Sequence, residues 1–539
     1  MTSSASPGLL GAVQSIDTAH IDYTALLPVL ITAGGALAVL VADLFLDHKG
    51  KRLLPWGTAV VLLAALGADI GLWVTRTAVP RQTFCLPAPT GSHAVQQATA
   101  LCSYSADDFS LALQILAVGA TLLVVLMAPR TFRAPFGEYH FLVLCSLTGA
   151  LVLVAARDFI TLTVALETLS LPAFALVGFG RSGDQDATGA SGEAALKFFL
   201  MSIASTAIML FGISLVYGTT GSVYFGAVQR AAAQLSSYQG TLFAVAAVLT
   251  LAGFAFKISA VPFHFWTPEV YVGAPVPIAA YLSVVSKSAG FAGLILAFDL
   301  AFRSYLQDLG VLIAVLAAVT MTVGNVIALR QRQAVRLLAW STVAQAGYIL
   351  VPLAVTQWNG TRFSLDTVVG GNSLGPAVAA SVAYLVLYAV MNLGAFAVVS
   401  ALAGEGDGDL MQYQGISRRR PRAAFPLAFF LLCLAGLPPG VMGLFAKVAV
   451  FKAAVSGDMV WLAVIMAVNV VIALYYYLRW AALLFASPTS APVEAAPVLA
   501  TARPVSVPLA PRLAVGLALA LAVLLSVYPN PALDVLNLH

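Results

Sequence analysis

Apolar residues fill fourteen stretches of the chain, and polar or charged residues are concentrated in the connections between those stretches. An α-helix needs about 20 mostly apolar residues to cross a bilayer. An open strand edge would leave backbone groups unpaired in lipid, so helices are the expected structure. The pattern therefore predicts fourteen membrane-spanning helices, at 27–46, 54–75, 108–128, 139–156, 158–180, 194–217, 241–266, 276–300, 308–329, 334–353, 378–402, 423–455, 458–485 and 512–528.

The composition supports a protein that is solvated by lipid. Hydrophobic residues make up 60% of the 539 residues and charged residues 9%, whereas a soluble domain carries about 25% charged residues. We therefore expect an all-α polytopic membrane protein, with residues 1–539 in a single membrane domain. The expected surroundings are lipid, with no nucleic acid as a partner.

The basic residues predict how the helices are oriented. Loops after odd-numbered helices, together with the adjoining helix ends, contain fifteen lysines and arginines, and those after even-numbered helices contain seven. Since cytoplasmic loops carry the excess of basic residues, the odd loops are predicted to be cytoplasmic. Both chain termini are then outside.

The four cysteines are the next candidates for chemistry. Cys145 and Cys433 fall in predicted helices, whereas Cys85 and Cys102 share the outer loop after helix 2. The sequence has no CxxC motif, which argues against iron–sulfur or zinc binding. Two cysteines on the oxidising side either form a disulfide or remain two free thiols.

Two predicted helices contain helix-breaking prolines. Helix 7 contains Pro262, and helix 12 contains Pro438 and Pro439; a lysine, Lys257 or Lys447, lies close to each break. A proline inside a helix leaves a backbone carbonyl without its hydrogen-bond donor. Such a carbonyl is tolerated at membrane depth only where it faces a buried or water-filled cavity. The two breaks lie five helices apart, which suggests two inverted five-helix repeats. The predicted organisation is helices 1–3 over 27–128, a first repeat of helices 4–8 over 139–300, a second repeat of helices 9–13 over 308–485, a Pro/Ala linker over 486–511 and helix 14 over 512–528.

Charged side chains inside the predicted helices are the candidate functional residues. Such a residue costs about 3 kcal/mol at the centre of a membrane helix. A long lysine side chain can avoid this cost by reaching the interface, or an ion pair can lock two helices together. The third interpretation is a proton relay, in which a carboxylate alters the proton affinity of a lysine. The candidates are Glu167 near the middle of helix 5, Lys197 one turn into helix 6, Lys257, Lys287 near the centre of helix 8, and Lys447; His264 either joins the relay or is an interface histidine.

Three segments resemble a known family. Residues 193–218, 256–291 (FKISAVPFHFWTPEVYVGAPVPIAAYLSVVSKSAGF) and 324–350 are similar to the antiporter-like membrane subunits of the proton-pumping NADH:quinone oxidoreductase, respiratory complex I, and to its subunit N in particular. The resemblance implies fourteen helices with two inverted five-helix bundles. It also implies that Glu167 pairs with Lys257, and that Lys197, Lys287 and Lys447 continue the relay.

The resemblance further implies the activity and the partners. It implies a proton-translocating subunit that is driven by quinone reduction elsewhere in the complex and has no cofactor of its own. NADH, FMN, iron–sulfur clusters and quinone are then expected in partner subunits, and the other membrane-arm subunits are the expected neighbours in a bacterial inner (plasma) membrane. Two alternatives remain at this stage: a subunit of a multi-component Na⁺/H⁺ antiporter, and a structural membrane scaffold.

Overall fold

The computed structural model describes residues 21–47, 50–77, 79–86, 101–128, 136–179, 185–355, 357–358, 361–362, 375–402, 408–487 and 508–529. Within these ranges, thirteen helices are long and apolar enough to cross a bilayer. Two shorter helices on either side of the second predicted break make the fourteenth crossing. The predicted all-α polytopic membrane fold is therefore confirmed. Most of the predicted Pro/Ala linker lies outside the described residues.

The helices are numbered here by crossing, and the two interrupted helices have parts a and b. Their bounds are α1 Leu27–Phe45, α2 Leu54–Val74, α3 Asp108–Met127, α4 Phe136–Ala155, α5 Phe159–Gly178, α6 Gln185–Thr220, α7a Ser237–Lys257, α7b Trp266–Gly273, α8 Val276–Ala301, α9 Leu306–Ala328, α10 Ala334–Ala354, α11 Pro376–Leu402, α12a Pro421–Ala435, α12b Met442–Ser456, α13 Val460–Phe485 and α14 Leu509–Val527. Two of these bounds differ clearly from the prediction. Helix α6 begins nine residues earlier than the apolar pattern suggests, and α7a ends at Lys257 rather than running on to 266.

The core of the molecule is formed by α8, α10 and α11. These three helices are almost wholly buried, whereas about two thirds of the residues in the apolar windows of α1, α2, α6 and α14 remain on the surface. A helix that is apolar on all sides is suited to the interior of a bundle. Most polar side chains on the three core helices are therefore shielded from lipid.

The interruption in helix 7 spans residues 258–265. Pro262 lies in this connection and not inside a helix, and the peptide bond before it is cis. The indole Nε1 of Trp266 donates a hydrogen bond to the carbonyl of Phe256 at 2.9 Å, and the backbone N–H of Val261 donates to Thr320 Oγ1 at 3.0 Å. Side chains thus satisfy backbone groups that the interruption frees, as membrane depth requires.

The interruption in helix 12 spans residues 436–441. Helix α12a ends at Ala435 and is capped by Gly436, whose φ of 82° is the left-handed conformation that favours glycine at a helix end. The Pro438–Pro439 peptide bond lies within the connection and is also cis. Both predicted breaks are therefore present and lie five crossings apart. The boundaries of two inverted repeats, α4–α8 and α9–α13, stay a prediction.

A small β-hairpin lies at the end of the bundle between α2 and α3. Strands β1 (Arg81–Cys85) and β2 (Cys102–Ala106) are antiparallel, with Cys85 opposite Cys102, and a disulfide joins these two residues. The backbone carbonyl of Ser103 accepts a hydrogen bond from Arg157 N–H at 2.9 Å. The hairpin is thereby attached to the short connection that leads into α5. Two further short strands, β3 (Gln357–Trp358) and β4 (Thr361–Arg362), pair between α10 and α11.

Helices α9 and α10 approach each other closely along their backbones. A Cβ atom on Gly324 of α9 would lie 2.6 Å from the backbone nitrogen of Ala344, and a Cβ atom on Gly347 of α10 would lie 2.5 Å from that of Met321. Small residues permit this backbone contact between membrane helices. The two helices therefore pack as a close pair beside the core.

Candidate functional site

Lys257 is buried at the last residue of α7a, where the first interruption begins. Its Nζ donates a hydrogen bond to Ser170 Oγ on α5 at 2.7 Å, and the ring of Phe198 lies 6.0 Å away. The ammonium group therefore faces α5 and α6. Lys257 is thus held by a neutral hydroxyl group.

Glu167 lies one helical turn before Ser170 on α5, and its position corrects one expectation. Its Oε1 accepts a hydrogen bond from Thr206 Oγ1 of α6 at 2.7 Å. Glu167 and Lys257 do not form an ion pair within 4 Å, although the carboxylate is close enough to act on the lysine electrostatically. The direct pair that the family resemblance implies is therefore absent here, because Ser170 takes the place of the carboxylate as acceptor.

Lys287 is buried in the middle of α8. A π-helical turn, Leu282–Ser286, comes immediately before it, and such turns are frequent at functional sites. Lys287 Nζ donates to the backbone carbonyl of Thr342 on α10 at 2.8 Å. Gly290, one turn further along α8, packs against the side-chain stem of Lys257. The stem of Lys257 therefore contacts α8 one turn after Lys287.

Lys447 on α12b closes the second interruption. Its Nζ donates to the carbonyls of Leu434 and Ala435 at 3.0 and 2.6 Å. These are carbonyls of the last turn of α12a, where a helix carries partial negative charge. The ammonium group thus satisfies the carbonyl end of one half-helix from the other half. This arrangement explains why a lysine accompanies the helix break.

Polar side chains continue from Lys287 into α11. The hydroxyl of Tyr388 lies 3.0 Å from Thr342 Oγ1 and 3.3 Å from the carbonyl of Ser283, and Asn392 Nδ2 donates to Ser283 Oγ at 2.8 Å. All four side chains are buried. The carbonyl that accepts from Lys287 belongs to Thr342 itself. These groups therefore connect the central lysine of α8 to the two other core helices.

A second group of buried polar side chains extends towards α13. Tyr384 donates to Gln345 Oε1 at 2.6 Å, and Gln345 Nε2 donates to the hydroxyl of Tyr477 at 3.3 Å. A third group joins α9, α10 and α13 through hydrogen bonds of 3.0–3.1 Å among Asn325, Tyr348, Asn469 and Tyr476. The sequence analysis did not identify these residues. Amide side chains within predicted spans were the available signal, because such groups are costly in lipid unless they are paired.

Among the described residues, Lys197 and His264 make no hydrogen bond to Lys257, Lys287 or Lys447. Lys197 lies three turns inside α6, where its Nζ pairs with Glu193 at 2.6 Å, and 43% of its side chain is exposed. The expected position one turn from the helix start was wrong because α6 begins at Gln185. His264 is buried in the first interruption, with its ring centroid 5.3 Å from that of Trp340. Within the described part of the chain, it makes no hydrogen bond to any of the lysines.

The site is suited chemically to exchange protons. Three buried ammonium groups face hydroxyl or carbonyl oxygens, and among the described residues none of them has a carboxylate within 4 Å. The described ranges also contain no cluster of three or more His, Cys, Asp or Glu residues that could hold a metal ion. The row consists of Glu167 on α5, Lys257 on α7a, Lys287 on α8 and Lys447 on α12b, and the polar side chains of α10 and α11 contact the acceptor of Lys287.

Comparisons with known proteins agree with this architecture. Residues 156–473 match the family model described as NADH:quinone oxidoreductase/Mrp antiporter, TM. NADH-quinone oxidoreductase subunit N 2 of Streptomyces griseus is 52% identical over 498 residues, which cover 91% of this chain and 88% of that protein. Subunit N of Salinispora tropica is 42% identical over 483 residues, which cover 88% of each.

Solved structures show the same fold. A chain of respiratory complex I from Thermus thermophilus with bound aureothin superposes with a TM-score of 0.71 at 28% identity, covering 94% of this chain and 98% of that one. A chain of the Mrp complex from Dietzia superposes with a TM-score of 0.76 at 21% identity, covering 95% and 96%, which is a likeness of fold alone. The family model and the two subunit N sequences confirm the resemblance noted in the sequence. The chain therefore belongs to the NADH:quinone oxidoreductase/Mrp antiporter family and, within it, to the NADH-quinone oxidoreductase N subunits.

Proposed function

We propose that this chain translocates protons as a membrane-arm subunit of an NADH:quinone oxidoreductase, with Lys257, Lys287 and Lys447 as proton carriers. Glu167 acts as the charge that biases Lys257. The chain carries out no redox step itself, and quinone reduction in partner subunits drives it. Family membership supports the complex, and the buried row of lysines supports the proton route.

The observation that carries this proposal is the kind of acceptor each lysine has. An ion pair would fix a lysine in its charged form, whereas a hydroxyl or carbonyl oxygen can remain beside either form. A hydrogen bond to a charged group contributes about 1.5–3 kcal/mol. Moving one proton against 100 mV costs about 2.3 kcal/mol. The free energy of one such contact is therefore comparable with the cost of moving one proton against the membrane potential, which quinone reduction in the partner subunits has to supply.

Substitutions at Lys257 and Glu167 test the relay directly. Lys257→Ala should leave the complex assembled and strongly lower proton translocation, because the proton carrier is gone. Lys257→Arg should not restore it fully, since a guanidinium hardly ever releases a proton. Glu167→Gln should also impair translocation. The measurement is proton translocation in vesicles, with the amount of complex determined in parallel.

A matched control is available on α12b, where Lys452 is exposed. Lys452→Ala removes a lysine charge without touching the row and should translocate like the unmodified chain. If Lys257→Ala shows full translocation per assembled complex, the relay is wrong and the lysine only holds helices together. That structural role also predicts the reverse order, with arginine tolerated and alanine damaging assembly.

The partners and the orientation belong to the same proposal. NADH, FMN, the iron–sulfur clusters and the quinone are held by other subunits, in a bacterial inner (plasma) membrane. Purification of the intact complex should yield flavoprotein and iron–sulfur subunits, whereas a Na⁺/H⁺ antiporter assembly would lack them. Both termini are on the periplasmic side. A reporter that works only in the periplasm should be active when fused at His539, and a reporter that works only in the cytoplasm should be active when fused near Pro497.

A further inference from the structure

A groove of about 590 Å³ lies between α11, α12a and α14, away from the row of lysines. Its walls are apolar and include Val398 of α11, Pro426 of α12a, and Val515 and Leu519 of α14. The volume falls within the range of about 300–1,000 Å³ that is typical of ligand pockets. The groove opens on the outer surface of the bundle, where lipid is the surrounding medium.

One end of this groove is strongly basic. Arg419, Arg420 and Arg422 lie around the start of α12a, and Arg512 lies in the first turn of α14; all four line the groove. Arg419, Arg422 and Arg512 form no ion pair with any carboxylate in the described ranges. The helices α12a and α14 both begin here, and each helix N-terminus adds partial positive charge. The basic end is also the end that the charge distribution predicts to be cytoplasmic.

We propose that this groove binds an anionic phospholipid, with its phosphodiester headgroup on the arginines and an acyl chain along the apolar walls. Arginine presents a planar fork of donors that fits phosphate oxygens. Basic pockets between membrane helices on the cytoplasmic side are suited to such headgroups. Apolar walls that continue from the basic end favour a lipid over a free phosphate ion.

Gly516 gives the proposal a test that leaves the protein packing intact. It lines the groove on α14, and a Cβ atom built on it would meet no atom within 4 Å. A larger side chain there therefore starts in open space and extends into the groove. Gly57 on α2 has the same open surroundings and does not line the groove, so it is the matched control position.

The experiment places the full chain in phosphatidylcholine nanodiscs that contain a minor fraction of phosphatidylglycerol. The lipid that stays bound on detergent extraction is then quantified by mass spectrometry. Phosphatidylglycerol should be enriched over phosphatidylcholine in the unmodified chain. A variant with Arg419, Arg422 and Arg512 changed to Gln should lose at least about tenfold of that enrichment, since one charge-assisted hydrogen bond corresponds to about a factor of ten.

Two further measurements distinguish the contribution of the acyl chain to binding from that of the headgroup. Gly516→Leu should reduce bound phosphatidylglycerol although the arginines remain. Gly57→Leu, and Arg230→Gln at an exposed arginine that does not line the groove, should bind as the unmodified chain does. Glycerol phosphate should not displace the lipid, because it lacks an acyl chain. Equal binding of the two lipids, or unchanged enrichment in the arginine variant, would overturn the proposal.

A protein segment that covered the groove would also overturn it. In lipid-free detergent, Gly516→Cys should react readily with a membrane-soluble maleimide and should be protected when phosphatidylglycerol is added. Protection without lipid would mean that the linker or a partner subunit fills the groove instead.

Discussion

Gly290 offers a way to disturb Lys257 without changing any charged residue. A Cβ atom on Gly290 would lie 2.9 Å from Lys257 Cγ, 3.2 Å from Lys257 Cβ and 3.3 Å from Ile258 Cγ2. Carbon atoms pack best at about 3.5–4.0 Å, so Gly290→Ala must push the lysine stem by about 0.5–1 Å. Such overpacking costs about 1–3 kcal/mol, partly offset by the better helix propensity of alanine.

The displacement of the Lys257 stem should also move its ammonium group. The bond from Lys257 Nζ to Ser170 Oγ is 2.7 Å long, and the same displacement would move it to or beyond the limit of about 3.2 Å for such bonds. Full loss of a bond to a charged group is a loss of about 1.5–3 kcal/mol. At about 1.4 kcal/mol for each factor of ten, we expect at least tenfold slower proton translocation.

The assay is proton translocation in vesicles, normalised to assembled complex. Gly34→Ala on α1 is the control, because no atom lies within 4 Å of a Cβ built there. In a double-mutant cycle, Gly290→Ala should add nothing to the loss caused by Lys257→Ala, since the two act on one contact. The reasoning is refuted if Gly290→Ala translocates at the normal rate, or if its effect is the same in the absence of the lysine.

Three other predictions follow from the contacts of the site. Lys447→Arg should keep donors for the carbonyls at the end of α12a and so preserve the amount of complex, but it should lose translocation because arginine hardly ever releases its proton; a parallel fall in both would contradict this. Tyr388→Phe should slow translocation roughly fivefold, the equivalent of one hydrogen bond of about 1 kcal/mol, with complex content unchanged; an unchanged rate would remove Tyr388 from the route. Cys85 and Cys102 should react with a thiol reagent only after reduction, and reaction without reductant would show that they do not pair in the membrane. A disulfide closing this loop should stabilise it by about 3 kcal/mol in the loop-entropy model, without effect on translocation.

The sequence alone predicted the helices and the interruptions well. A helix that crosses a bilayer needs a long apolar segment, so the fourteen crossings could be predicted from hydropathy. Proline inside such a segment interrupts or kinks the helix, so both breaks could be predicted as well. Three of the predicted lysines, Lys257, Lys287 and Lys447, are buried in the structure. Burial was predictable for Lys257 and Lys287 because their side chains are too short to reach the interface from their depth in the predicted helices.

Other features had no comparable signal in the sequence. The start of α6 lies in the polar stretch before Gly192, which hydropathy assigns to a loop. The partner of Lys257 depends on which turn of α5 faces it. Helical periodicity alone does not decide between Glu167 and Ser170. Single Ser, Thr and Tyr residues within apolar helices, such as Thr342 and Tyr388, occur in many structural roles. Only their three-dimensional neighbours show that they connect to Lys287.

The backbone contact between α9 and α10 has a mechanical consequence for the lysine row. Because Gly324 and Gly347 bring the two backbones together, neither helix can slide or tilt without the other. The carbonyl that accepts a hydrogen bond from Lys287 belongs to α10, and it is therefore part of the closely packed pair α9 and α10. Lys257 and Lys447, in contrast, lie beside interruptions where the regular helical hydrogen-bond pattern is broken. We therefore expect a displacement at either interruption to reorient the Lys287 side chain more than it moves the carbonyl that accepts from it.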